Sequence, residues 1–202
     1  MTSANASAVV TEAPPVHSER RGYMDRIAKV PAEATTSGVY VVGLHRALQK
    51  AGIKSANPEA FHCLRYYPLR DYMAVMVDAA ATIYPKVNLN EGLRRMGLNV
   101  IPNFARTFGG KMLMSLGECS WEMALSCVTR GYQLSLRPGR ATVTILGKGR
   151  ADIELNDVWN FGESYQPGVI QGLMNWYHIN GSVTPEALSL SHCLLHLEWI
   201  PG

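Results

Sequence analysis

From about Gln133 onward, the apolar residues of this chain recur at every second position, whereas before it they recur at helical spacing. A chain with that change of period is neither all helix nor all sheet. It reads as helices first, then a hairpin, then one more helix, Ser164 to His178 (SYQPGVIQGLMNWYH), and a closing strand.

The helical part centres on Tyr66 to Leu116, the longest stretch of unbroken helical character. Pro68 can start a helix, and Leu69, Tyr72, Met73, Met76, Val77, Ala80 and Ile83 form a wide apolar stripe that ends at Pro85. Asn88 or Asn90 caps a second helix running to Phe108, in which Pro102 requires a kink or break. Upstream, Val39 to Ala51 predicts an amphipathic helix stopped by Gly52, and Asn57-Pro58 opens a short helix to Cys63. Downstream, Ser120 caps a helix through Val128. Gln133 to Arg137 then reads as a short strand. Arg140 to Leu146 and Arg150 to Asn156, joined by Gly147-Lys148-Gly149, read as a β-hairpin, and His192 to Ile200 alternates as a last strand after a turn at Asn180-Gly181. Gly168 and Gly172, four apart in the later helix, predict a close approach to a sheet or to a symmetry mate.

Residues 1–37 are rich in Ala, Ser, Thr and Pro and predict a flexible tail with a short helix near Tyr23 to Val30, leaving residues 38–202 as a single domain. With 47% hydrophobic and 17% charged residues the composition is that of a globular protein, and a net charge of +3 without a basic run does not imply nucleic acid as a partner. No apolar run reaches the roughly 18 residues of a membrane span, and the N-terminus lacks the apolar core of a secretory signal, so a cytoplasmic location is expected. Cys63, Cys119, Cys127 and Cys193 show no regular spacing and read as buried, reduced thiols.

No catalytic or metal signature emerges. His192 and His196 have the i, i+4 spacing of a zinc pair on a helix, but on a strand that spacing separates them by roughly 13 Å. The carboxylates form no acid and base pair, Gly147-Lys148-Gly149 lacks the helix of a phosphate loop, and there is no GxSxG elbow. Arg94, Arg95 and Arg106 read as the solvated face of their helix. The methionines between Met73 and Met123 suit either an adaptable pocket or a plain core.

The run YPLRDYMAVMVDAAATIYP, then NEGLRRMG, then Phe104 to Lys111 (FARTFGGK), the hairpin, SYQPGVIQGLM and the final strand resemble a paralogous family of unknown function found chiefly in myxobacteria. That family is similar in fold to the superfamily of the haem-dependent nitric oxide and oxygen sensors, the 4-vinyl reductase-type ligand-binding domains and the Bet-three-like trafficking subunits. The resemblance implies an α+β fold: a helical N-terminal half packed on a C-terminal antiparallel sheet with one crossing helix. It also implies a homodimer paired through helices. The haem sensors place a proximal His shortly before a Tyr-x-Ser-x-Arg motif. Here Tyr132, Ser135 and Arg137 have an extra residue between Tyr and Ser, and Val87 to Arg130 contains no His. On a strand that slip would turn the residues to opposite faces. The cysteine cluster of some 4-vinyl reductase-type domains is likewise missing, so no cofactor and no metal are expected.

The reading that follows is a non-enzymatic sensor or scaffold domain that binds a small apolar ligand or a protein partner. Its pocket candidates are Tyr72, Met73, Met76, Val100, Phe104, Phe108, Met174 and Trp199. An enzyme of small hydrophobic substrates using His45, His62 or a Cys, and a purely structural interaction module, are the alternatives.

Overall fold

The computed structural model describes residues 16–105 and 120–201. Helix α1 (Val16–Ala28) leads into strand β1 (Thr35–Ser37) and helix α2 (Gly38–Lys50), which stops before Gly52 at φ +71°. A 3-10 turn at Pro58–Ala60 is capped by Asn57, whose side chain accepts from the Glu59 amide. Strand β2 (Tyr66–Pro68) then delivers the chain to α3 (Leu69–Ile83), the predicted apolar stripe. Asn88 caps α4 (Leu89–Leu98), accepting from the Glu91 amide at 2.8 Å.

The expected helix from Asn90 to Phe108 is two helices. The break falls at Asn99, and Pro102 lies in the first turn of α5 (Val100–Ala105). A proline there removes an N–H that would have no intrahelical partner, so the interruption precedes it. The end of the expected helix and the following KMLMSL segment lie outside the described residues. Ser120 caps α6, accepting from the Met123 amide at 3.1 Å, but α6 runs over Trp121–Ser135. The expected strand at Gln133–Arg137 is thereby corrected. Only Leu136–Arg137 is extended, as β3, because the Ala124, Val128 and Tyr132 stripe continues to bury the helix.

The hairpin forms as expected from β4 (Arg140–Gly147) and β5 (Arg150–Asn156), with Gly147 at φ +150° and Gly149 at φ +78° in its turn. Helix α7 (Tyr165–Trp176) follows, then β6 (Gly181–Ala187) and β7 (Cys193–Trp199). The short strands pair antiparallel in the order β2-β1-β3, and the main sheet runs β4-β5-β7-β6, antiparallel throughout. On one face of that sheet Ala151, Ile153, Leu155, Cys193, Leu195 and Leu197 are buried beneath the helices. The fold is α+β, with a helical N-terminal half and a C-terminal antiparallel sheet.

Two further expectations change. Residues 16–37 are not a free tail. Ile27, Val30 and Ala34 are buried, Arg26 donates to Glu163 from both terminal guanidinium nitrogens, and Arg20 meets Asp78 at 2.8 Å. Glu19 also accepts from the Leu89 amide at 2.9 Å, placing a carboxylate at the positive end of α4. The glycines of α7 pack against α4 rather than a sheet or a second copy. A Cβ built on Gly168 would lie 2.1 Å from the Arg94 carbonyl oxygen, one on Gly172 2.6 Å from that of Leu98, and one on Gly97 2.3 Å from that of Tyr165. The two helices therefore cross backbone to backbone.

Candidate functional site

Helices α6 and α7 face one another over the sheet, and both turn a stripe of modest side chains toward the gap. From α6 come Ala124, Cys127, Val128, Gly131, Tyr132 and Ser135, a strict i, i+3, i+4 progression. From α7 come Tyr165, Gln166, Val169, Ile170 and Leu173. Small residues at Ala124, Gly131 and Ser135 keep the walls from meeting, and a half-open cavity of about 100 Å³ remains between them. Val100, Ile101 and Phe104 of α5, Tyr40 of α2, Tyr72 of α3, Thr36 of β1 and Leu136 of β3, with Asn160 and Tyr177 on either side of α7, complete the lining. Val100, Ile101, Cys127 and Val169 are half-buried and mark the mouth, while Tyr72, Tyr132 and Tyr165 are buried at the floor.

The lining is apolar apart from an arc of hydroxyls and amides. Ser135 donates its hydroxyl proton to the Gly131 carbonyl, so Tyr40 donates to the Ser135 oxygen, 2.7 Å away. Tyr132 donates to Gln166 Oε1, and Gln166 Nε2 donates to Asn160 Oδ1 at 2.8 Å. The hydroxyls of Tyr72 and Tyr165 lie 3.2 Å apart. Burial pushes the ionisation of Tyr40, Tyr72, Tyr132 and Tyr165 upward, so each phenol is held neutral. No charged side chain lines the cavity among the described residues.

Of the eight candidates from the sequence, Tyr72, Val100 and Phe104 line this cavity. Met73, Met76 and Met174 are fully buried in the core and do not line it. Trp199 sits at the end of β7, edge-on to Trp121 with ring centroids 5.8 Å apart. Phe108 lies outside the described residues. The residues the sequence reading missed are the small and polar members of α6 and the Gln166–Asn160 pair. Their signal was the interruption of an apolar helical stripe by Gly131 and Ser135.

The remaining candidates lie elsewhere. His45 is buried and stacked on Phe61 with centroids 4.9 Å apart, and burial lowers its pKa; His62 is exposed. Neither lines the cavity. His192 meets Glu154 at 2.9 Å, and His196 bridges Asp152 at 2.9 Å and Glu186 at 3.2 Å across three strands. Among the described residues no group of three or more His, Cys, Asp or Glu is placed to hold a metal ion. The cysteines are less uniform than expected: Cys63 is exposed, Cys127 half-buried, and Cys193 buried with its thiol pushed up to about 11 by burial. Cys119 lies outside the described residues. Tyr132 and Ser135 were expected on opposite faces of a strand. On helix α6 they are three residues apart, and both line the cavity, whereas the Arg137 guanidinium stacks on the Tyr66 ring at 3.7 Å.

The fold is that of the H-NOX proteins. The chain is similar to the Fe(II) unliganded H-NOX protein from K. algicida, with a TM-score of 0.53 and 9% identity over 82% of this chain and 97% of that one. It is similar to an H-NOX protein from S. oneidensis in the Fe(II)NO ligation state, with a TM-score of 0.55 and 9% identity over 81% and 99%. A structure solved to probe heme distortion in the H-NOX family gives 0.57 and 15% over 82% and 96%. At these identities the likeness is one of fold. Residues 35–200 match the family described as protein of unknown function (DUF2378), and the chain belongs to that family. A comparison with curated proteins finds no similar sequence.

Proposed function

We propose that this chain is a non-enzymatic sensor domain of the cytoplasm that holds a small apolar ligand between α6 and α7. The observation that carries the reading is the cavity itself: concave, aromatic-lined, without a charged side chain among the described residues, and floored by hydrogen-bonded phenols, the composition of a small-molecule site. An apolar cavity of ~150 Å³ holds a benzene molecule, so a volume of about 100 Å³ with an open mouth suits a ligand of single-ring size.

Haem, named for the H-NOX family, does not fit these residues. The chain has no histidine anywhere in residues 63–177. No charged side chain among the described lining residues would meet the carboxylates of a tetrapyrrole, and Arg137 is occupied on Tyr66. The space is that of one ring.

A ligand between α6 and α7 would touch both helices that cover the sheet, so occupancy biases their spacing and the surface they present to a partner protein or a second copy. Native mass spectrometry of the protein purified from its own host tests this, reporting ligand and oligomeric state together. A bound neutral compound of low mass is expected. Protein that arrives empty and whose unfolding temperature is unmoved by saturating benzene overturns the reading. The homodimer is tested in the same spectrum, where a monomer at micromolar concentration counts against it.

A further inference from the structure

The hydroxyl protons on the cavity floor can be counted. Tyr40 gives its proton to Ser135, because the Ser135 proton goes to the Gly131 carbonyl. Tyr132 gives its proton to Gln166 Oε1. Tyr72 and Tyr165 face only each other, 3.2 Å apart, and two hydroxyls so placed have two protons but room for one between them. Whichever of the pair donates, the other keeps an O–H without an acceptor among the described residues. Both rings line the cavity and both are buried, Tyr72 at 7% exposure and Tyr165 at 4%. An unmatched buried donor is costly, and a ligand atom that accepts its proton removes that cost.

We infer that the ligand is an uncharged molecule of single-ring size carrying one hydrogen-bond acceptor, such as a carbonyl oxygen, which takes the spare proton of the Tyr72–Tyr165 pair. The inference rests on the proposed cavity function and adds the ligand's chemistry to it. No charged side chain lines the cavity among the described residues, which argues against anions and cations, since a carboxylate or ammonium buried against them would have no counter-charge. The hydroxyl protons of Tyr40 and Tyr132 are already engaged by Ser135 and Gln166, so the spare phenol proton is that of the Tyr72–Tyr165 pair and it matches a single acceptor. The apolar body lies toward Val169, Ile170 and Leu173.

The test uses three probes of one shape, toluene, benzaldehyde and benzoate, titrated calorimetrically into the native protein and into Tyr72→Phe, Tyr165→Phe and the double variant. Each single variant keeps one free hydroxyl proton, so both should retain the benzaldehyde-to-toluene affinity ratio. The double variant should lower that ratio by about two- to tenfold, the range of one net hydrogen bond, while toluene still binds. Benzoate should bind at least about a hundredfold more weakly than benzaldehyde. An unchanged ratio in the double variant, or benzoate binding as well as benzaldehyde, overturns the inference and leaves the cavity reading standing. Failure of all three probes to bind overturns both. A second readout needs no variant: the carbonyl stretch of benzaldehyde bound to the native protein should shift to lower wavenumber than in an alkane. A stretch at the alkane position overturns the inference, the spare proton then being met by water.

Discussion

Replacing Gly168 with alanine perturbs the joint on which the cavity depends. A Cβ at that position would sit 2.1 Å from the Arg94 carbonyl oxygen and 3.1 Å from the Gly97 Cα, both backbone atoms of α4. Ordinary contact begins near 3.4 Å, so α4 and α7 must separate by about 1.3 Å at the crossing, and no side-chain rotamer can absorb that. Overpacking costs about 1–3 kcal/mol, and the absence of a flexible neighbour places this case at the upper end. Alanine regains about 1 kcal/mol of helix propensity, leaving a net loss of about 2 kcal/mol. Gly43 in α2 is the control: a Cβ there meets nothing within 4 Å, so Gly43→Ala should stabilise by about 0.5–1 kcal/mol. Urea unfolding of the two variants beside the parent measures both. Because Tyr165, Gln166 and Val169 project from the same turns of α7, Gly168→Ala should also weaken toluene binding. If Gly168→Ala is as stable as Gly43→Ala, the close helix crossing is refuted, and with it the placement of the cavity wall.

Two pH dependences follow from the buried and bridged groups. Burial raises the ionisation of Tyr40, Tyr72, Tyr132 and Tyr165, and that of Tyr23 to about 12; a folded-state pKa raised above 10.0 gives stability that is whole below pH 10 and lost as pH rises further. Tyrosinate absorbance should therefore appear together with loss of helical circular dichroism, and phenols that titrate freely in the folded protein would contradict their burial. The His196 ring, bonded to Asp152 and Glu186, has its pKa raised from 6.5, so its contribution is complete below pH 6.5 and fades as pH climbs through the raised value. The urea midpoint of the parent should fall through that window while that of His196→Gln stays flatter, and parallel profiles would count against the bridge. The ring is 41% exposed, so the difference should be small.

The physical reasons for what was and was not legible in the sequence differ by element. The β4–β5 hairpin was plain because alternation and a Gly-Lys-Gly turn agree, and α3 because its stripe is bounded by Pro68 and Pro85. Strand β6 was missed because its residues, GSVTPEA, are mostly polar and include Pro185; it is an edge strand, where a proline and a half-exposed face are tolerated. Helix α1 was legible only as a short helix near Tyr23 to Val30 inside a flexible tail, because its burial rests chiefly on Ile27 and its charges find their partners, Asp78 and Glu163, far along the chain. The cavity was only partly visible for a different reason. Choosing large apolar residues selects those that fill space, and Met73, Met76 and Met174 do that in the core. A cavity forms where side chains are short. Gly131, Ala124 and Ser135 mark it, and their meaning depends on α7 standing opposite. Within the described residues no helix is long and apolar enough to cross a membrane.

The central claim, that the gap between α6 and α7 is a ligand site, is tested most directly by methyl-labelled NMR with toluene as the probe. The account predicts saturable shifts confined to the methyls of Val100, Ile101, Val128, Val169, Ile170 and Leu173, with the core methyls of Ile153 and Leu155 unmoved. Shifts scattered over the exposed Ile145, Leu146 and Ile200, or none that saturate, would contradict it.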